Sequence, residues 1–389
     1  MELTGLVHTS SRSTCLAAVV EFIAQKFTSL STFEMIFGAR IVLLCIVAAL
    51  CTFLSAAASS YDVKVIKRPS TTVISNIDGT TSFTLVFNPS WVEASDSTGG
   101  KSGLLMRTQN CTINPGDACS FCGGSAASAS ILTYGDRKSD GTFGFVGDDS
   151  VVFGPSDDTD SWGTEDPRIK YNIVDGLYYM FYTAYNGKDI FLNLATSPNP
   201  TVSNKWTRHG PVFPTIPGSK SGALLLRDPA QGPHFLYWGD SSIKITTSND
   251  PAVWPADGGK VFIETRADHF DSKLVESGPP PLQLLNGDYI FFYNSATLGW
   301  PDEPGSAYHP GWVILDGKDP SVIKQRSEKP LLTPTYAWEL GTLPYTCNVP
   351  NVVFLEAARR ACDKTDTFEV YFGGADAVLG SATVRVVTV

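Results

Sequence analysis

The 389-residue sequence is short of charge: Asp, Glu, Lys and Arg together make up 17%, and no run of five or more Lys/Arg occurs. A nucleic-acid groove needs a basic stripe to displace the counterions condensed on phosphates, so 29 Lys and Arg against 39 Asp and Glu exclude nucleic acid as a partner. The chain has no P-loop and no dinucleotide-binding glycine fingerprint. No second C-x-x-C or spaced His completes a zinc site with Cys119-Ser-Phe-Cys122. No cofactor and no metal are expected. Beyond residue 60 there is no long run of 3.6-residue apolar periodicity, which argues against a helical bundle. What is abundant is 34 Gly, 25 Pro and 11% aromatics, the composition of short strands joined by tight turns.

The first 58 residues differ from the rest. Ile41 to Ala58 is uncharged, follows Arg40 and ends in small residues, with Ala56 and Ala58 placed as in a signal-peptidase site. At 1.5 Å per residue the run would extend about 27 Å as a helix, just enough to span a bilayer core. A start at Met35 would give an ordinary short basic leader. The expectation is a leader over 1–58, either a cleaved signal peptide or a membrane anchor through 41–58, followed by a globular domain over 59–389 that is secreted or faces the lumen or exterior. Export permits disulfides among Cys111, Cys119, Cys122, Cys347 and Cys362, with one thiol of the five left over. Asn110-Cys111-Thr112 is the single glycosylation sequon.

Within 59–389, aromatic-rich apolar runs recur with centres at Met106, Phe181, Leu236, Phe291 and Tyr371. A four-stranded sheet with its turns takes roughly 40 to 60 residues, so five such units fill the domain as one all-β, five-bladed β-propeller. A two-sheet sandwich with an extra domain is the structural rival. Strands buried on both faces by neighbouring blades explain runs that are apolar throughout rather than alternating. Several runs end at or just before a polar residue, Arg107, Asn186, Asp240, Asn294 and Asp376, and propeller strand ends converge on one axial pocket.

Gly163-Thr-Glu-Asp-Pro-Arg-Ile169 is the most informative stretch. Pro167 keeps Asp166 out of right-handed helical geometry, and two adjacent carboxylates on extended backbone project in different directions, one toward a pocket while the other is held elsewhere. Arg168 could grip a carboxylate or sugar hydroxyls with its planar fork. Tyr185, Trp238, Trp300, Tyr308 and Trp312 are candidates for stacking on sugar faces.

These residues, with Phe87-Asn-Pro89, Leu104-Leu-Met-Arg107, Tyr178 to Tyr185, Ser277-Gly-Pro-Pro-Pro281, Leu315-Asp316 with Asp319-Pro320, Pro350-Asn-Val-Val-Phe354 and Tyr371-Phe-Gly-Gly-Ala-Asp376, run in the order of glycoside hydrolase family 130, which the chain resembles. The resemblance implies a five-bladed propeller that cleaves β-mannosides with inversion, as a phosphorylase or a hydrolase. It implies Asp166 as general acid, Arg107 and Asp376 as holders of the sugar, and Asn88 in the matching Asn-Pro element. Glu165, Arg168 and Asn186 join the expected substrate-binding set, and His309 matches a polar site-facing position.

A phosphorylase attacks with inorganic phosphate and needs clustered cations; a hydrolase attacks with water and needs a carboxylate base. Family phosphorylases usually carry a Lys shortly before the Gly-Pro-Pro run, a His after the next aromatic strand and often a His-Arg pair. This chain has Lys273 one place further off, Glu276 where a small residue is common, Asn294 in place of the His, and Tyr237-Trp-Gly-Asp240 in place of His-Arg. Lys220 and Lys273 could still contribute to an anion site. The reading is therefore an inverting glycoside hydrolase acting on β-mannosides or related oligosaccharides, with Asp166 as acid and Glu276 as base. The alternatives are a phosphorylase, with inorganic phosphate as partner, and a non-catalytic carbohydrate-binding propeller. A furanosidase-type propeller would need three separated axial carboxylates, a triad not clearly present.

Overall fold

The computed structural model describes residues 60–389, apart from 112–118, 120–121, 123–127 and 157. The expected leader and membrane anchor lie outside the described residues, as does Thr112 of the sequon. Among the described residues no helix is long and apolar enough to cross a membrane.

Five antiparallel sheets make up Tyr61–Val389, four of them built from consecutive strands and the fifth from the last three strands and the first. Blade 1 is β2 (Leu85–Val92), β3 (Gly103–Gln109), β4 (Ile131–Asp136) and β5 (Val151–Phe153). Blade 2 is β6 (Gly163–Asn172), β7 (Leu177–Tyr185), β8 (Ile190–Ser197) and β9 (Thr207–Pro211). Blade 3 is β10 (Ala223–Leu225), β11 (His234–Trp238), β12 (Ile243–Ser248) and β13 (Lys260–Ile263). Blade 4 has an interrupted first strand, β14 (Leu274–Ser277) and β15 (Leu282–Gln283), both paired with β16 (Tyr289–Ala296), then β17 (Tyr308–Leu315) and β18 (Ile323–Arg326). Blade 5 is β19 (Val353–Cys362), β20 (Thr367–Gly374) and β21 (Val378–Thr388), with β1 (Tyr61–Lys67) as its outer strand. The only α-helix among the described residues is the single turn α1 (Ala337–Leu340). The molecule is thus the five-bladed propeller expected.

The β1–β21 pairing closes the ring, because the first strand of the domain completes the last blade. Two disulfides add to it. Cys111–Cys122 lies within the β3–β4 connection, and Cys119–Cys347 ties that connection to the segment before β19, so blades 1 and 5 are also joined covalently. The side chain of Cys362 lies outside the description.

The five aromatic-rich runs read from the sequence are β3, β7, β11, β16 and β20, the second strand of every blade. A second strand is flanked by partners on both edges and by neighbouring blades on both faces, so it is mostly apolar, and polar residues it buries, such as Asn294 and Ser295, are hydrogen-bonded. Tyr178, Phe181, Tyr182, Tyr237, Phe291, Phe292 and Phe372 are all essentially inaccessible, and burying each stabilises the fold by about 1.5–3 kcal/mol. First strands differ. In β2, β6 and β19 the ladder slips past Asn88, past Asp166-Pro167 and past Glu356, giving three β-bulges beside the axis. A bulge leaves its extra residue out of the ladder and re-aims its side chain.

Candidate active site

An axial cavity of about 250 Å³ opens where the first strands converge. One side is polar, formed by Asn88, Arg107, Glu165, Asp166, Lys220, Asp240, Glu276 and Asp376; the other is apolar, formed by Ile190, Leu274, Trp300, Val352 and Phe354. Tyr308 lies at the join, its hydroxyl donating to Glu276 Oε1.

Asp166 sits at the β6 bulge with φ of 49°, in the left-handed region that Asp tolerates better than most residues. The sequence expectation of one carboxylate in the pocket and its neighbour elsewhere is corrected here. The bulge breaks the two-residue alternation, so Glu165 and Asp166 both line the cavity and share one cation. Arg107 donates through Nη1 to Asp166 Oδ1 at 2.9 Å and through Nη2 to Glu165 Oε1 at 2.8 Å. Its Nε is held by Ser130 Oγ at 2.9 Å, which fixes the guanidinium plane. Asn88, also at a bulge and with φ of 46°, donates from Nδ2 to Asp166 Oδ1 at 2.8 Å.

Glu276 approaches from β14. Its Oε2 accepts from Ser221 Oγ at 2.8 Å and lies 3.5 Å from Lys220 Nζ, which also stands 3.6 Å from Asp240. Its ion partner is therefore Lys220, while Lys273 rests over the Trp300 ring, outside the polar wall.

The carboxyls separate in acidity. Burial raises Asp166, but Arg107 and Lys220 outweigh it and hold the group below its ordinary value. Burial dominates at Glu165, against the pull of Arg107, and at Glu276, against that of Lys220, so both are raised. Asp376, at φ 49° in the turn after β20, is pushed up to about 7 by burial despite Arg107. Lys220 is itself raised, because Glu276, Asp240 and Asp166 more than offset the cost of burying it. In the empty site Asp166 is thus held ionised, while Glu165, Glu276 and Asp376 keep a proton more easily, so a proton must move onto Asp166 before it can act as an acid.

A sequence model of glycoside hydrolase family 130, described as β-1,4-mannooligosaccharide phosphorylase, matches residues 125–389. The chain belongs to this family. It is 31% identical over 227 residues to a 1,2-β-oligomannan phosphorylase of Thermoanaerobacter sp., covering 57% of this chain and 67% of that one. Among solved structures, a glycosyl hydrolase from Bacteroides ovatus superposes with a TM-score of 0.61 at 26% identity, over 77% of this chain and 84% of that one. Another, at TM-score 0.64 and 26% identity, covers 84% of this chain and 94% of its own; it was solved in work describing GH130 mannoside phosphorylases that include hydrolases targeting β-1,2 mannosidic linkages in Candida mannan.

Of the site residues expected from the sequence of this GH130 chain, the cavity brings together Asn88, Arg107, Glu165, Asp166, Lys220, Glu276 and Asp376. Five others do not line it. Arg168 is fully buried beneath it, bonded to backbone carbonyls and to Glu356 rather than to any group in the cavity. Asn294 is buried in the sheet, its amide exchanging hydrogen bonds with the Leu355 N–H and C=O. Asn186 closes its own turn by accepting from the Lys188 and Asp189 N–H groups. His309 is packed edge-on to Phe270 beside Thr297 Oγ1, and Lys273 is the cation over Trp300. Of the stacking candidates, Trp300 and Tyr308 line the cavity, Trp238 and Trp312 are core, and Tyr185 packs against Trp162. Sequence reasoning missed Ser130, Ser221 and Glu356. Glu356 carried a usable signal: it is a lone charge inside the apolar run Val352 to Ala358, where an ionisable group survives only with a partner.

Proposed function

We propose that this chain is an inverting enzyme that cleaves β-mannosides or related oligosaccharides in the axial cavity, with water as the attacking group. Asp166 acts as general acid toward the departing oxygen, directly or through a sugar hydroxyl, and Glu276 as base. Arg107 and Asp376 hold the sugar. Asp166 is ionised in the empty site, so it takes up its proton only as a sugar displaces water and loosens its bonds to Arg107 and Asn88, or receives it from the neighbouring carboxyls that hold theirs more easily.

The observation that carries the choice of water is the charge of the cavity. Its two cations, Arg107 and Lys220, are each already engaged by two acidic side chains, and five carboxyl groups line the wall, of which Asp166 is held ionised. A phosphate dianion entering there meets repulsion with no uncommitted cation to offset it among the described lining residues. Phosphorolysis is the second reading, and it fits the names of the matched curated relatives better than hydrolysis does. Incubating the protein with β-1,2- and β-1,4-linked manno-oligosaccharides, with and without inorganic phosphate, separates the two. Free mannose without phosphate is the expected product, mannose 1-phosphate overturns the choice of water, and binding without turnover reduces the protein to a carbohydrate-binding propeller. We also propose that residues 1–58 direct export or anchoring; the apolar run 41–58 supports this, and the two disulfides fit an oxidising compartment.

A further inference from the structure

Two polar residues that the sequence placed in the substrate site, Arg168 and Asn294, lie behind it, and their contacts converge on the strands that carry its two principal carboxylates. Arg168 and its partner Glu356 are each wholly inaccessible, with Arg168 Nη1 2.6 Å from Glu356 Oε1. The remaining donors of the guanidinium reach two blades: Nη1 to Asp166 O at 3.0 Å, Nε to Gly278 O at 3.1 Å, and Nη2 to Ser277 O at 2.7 Å. One planar group therefore spans blade 2 at the backbone of Asp166, blade 4 immediately after Glu276, and blade 5 at the Glu356 bulge. Asn294 completes the link. It stands directly opposite Glu276 in the β14–β16 pairing, and its side chain takes the Leu355 N–H at 2.7 Å and gives to the Leu355 C=O at 2.8 Å. The approach of blade 4 to blade 5 is close enough that a Cβ on Gly278 would stand 3.1 Å from Leu355 O.

We infer that Arg168 and Asn294 are positioning residues, a clamp across blades 2, 4 and 5 that sets where Asp166 and Glu276 stand relative to one another. The inference rests on the reading that these two carboxylates flank the scissile bond. In a propeller each blade is its own hydrogen-bonded sheet, and blades meet mainly through side-chain packing, which permits small slides. Directional bonds from one rigid fork to backbone carbonyls of blades 2 and 4, with an ion pair to Glu356 of blade 5, restrict that freedom. The Asp166 carbonyl bonded by Arg168 belongs to the left-handed residue of the bulge, so the same contact holds the conformation that turns the carboxylate into the cavity. Inversion needs acid and attacking group on opposite faces of the sugar at a set separation, and a misplacement near 1 Å costs about 100-fold in rate.

The test compares Arg168→Lys, Asn294→Ala and, as a control, Arg208→Lys in the full chain. The assay supplies β-1,2- and β-1,4-mannobiose with inorganic phosphate, so either attacking group is available. Lysine keeps the charge of Arg168 but cannot serve three strands at once. Arg208 is a partly buried arginine of the same blade, tied to Asp160 and Tyr182 through outer strand β9, and it does not line the cavity. Arg168→Lys is expected to lower kcat about 100-fold with KM within about threefold of wild type, and Asn294→Ala to lower kcat about tenfold in the same manner. Arg208→Lys lowers Tm and leaves kcat unchanged. If folded Arg168→Lys and Asn294→Ala both retain wild-type kcat, or if Arg208→Lys loses kcat in proportion to Tm as they do, the clamp is overturned and the mannosidase reading stands. If wild type turns over neither mannobiose, that reading falls and the inference with it.

Discussion

Blades 2 and 4 both deliver a carboxylate to the same cavity, and they do so by opposite means. In blade 4 the first strand is interrupted after Ser277, but its β14 part is regular: Leu274 and Glu276 line the cavity, and Val275 between them is buried in the hydrophobic core. Alternation with period two does all the aiming. In blade 2 the strand is broken by a bulge, and two successive residues, Glu165 and Asp166, reach the cavity where a regular strand could present one. The regular strand gives its carboxylate a single cation, Lys220, and two hydroxyl donors, Ser221 and Tyr308. The bulged strand makes its two carboxylates share Arg107, and the shared charge settles mainly on Asp166, which is held ionised while Glu165 is raised. A bulge is thus a way to couple two acids, and a regular strand a way to isolate one.

That contrast can be broken from either side. Asp166→Asn should have the largest effect, a loss of about 10²- to 10⁴-fold in kcat with mannoside binding retained by calorimetry; a fully active variant removes Asp166 from the acid role. Glu276→Gln should cost about 100-fold in hydrolysis. Azide or formate supplied to this variant as a small external nucleophile or base should restore part of the rate, which a purely structural Glu276 would not permit. Tyr308→Phe removes a donor to a charged group and should lower kcat about tenfold, measured with the same substrate. Glu165→Gln leaves Arg107 with one anionic partner; it should change kcat/KM only about fivefold, and a loss as large as that of Asp166→Asn would mean that the bulge divides the roles the other way.

The smallest expected effect is on stability against pH. With Asp376 at about 7 in the folded chain, the unfolded chain releases this proton first as pH rises from about 4, so stability falls through that window and levels off above pH 7. His309, lowered by burial to about 4, works in the opposite sense: below pH 6.5 the unfolded chain takes a proton that the folded chain refuses, so stability is lost as pH falls toward 4. The two slopes overlap and partly cancel between pH 4 and 6.5. Urea unfolding across pH 4 to 8 should therefore show a steeper acid-side loss in Asp376→Asn and a steeper fall toward neutrality in His309→Gln. Slopes identical to wild type would exclude burial as the source of either shift.

The five blades were legible in the chain because every second strand is enclosed on all sides and cannot hide that in its composition. Five of the expected site residues do not line the cavity, and they entered by different routes. Asn186 and Asn294 stood at the ends of apolar runs, Arg168 in the stretch from Gly163 to Ile169, and Lys273 and His309 at positions the family resemblance suggested; a polar residue serves a ligand or the backbone equally well on paper. Here the backbone took three of them outright: Asn186 in its turn, Asn294 across to Leu355, and Arg168 to three carbonyls. Ser130 and Ser221 were invisible for the converse reason, since hydroxyls placed against Arg107 and Glu276 look like any turn serine.

What the sequence by itself determined is the number of blades, the nature of their strands and the residue types available for acid–base chemistry, because burial and periodicity are local and leave their mark on each segment. What only the tertiary structure decided is which polar groups meet: that Glu165 and Asp166 face the same way, that Lys220 rather than Lys273 pairs with Glu276, and that Arg168 lies under the cavity. Those outcomes depend on three bulges and on how blades 2, 4 and 5 abut. Contacts between residues separated by more than a hundred positions follow from the closure of the ring rather than from any stretch within it.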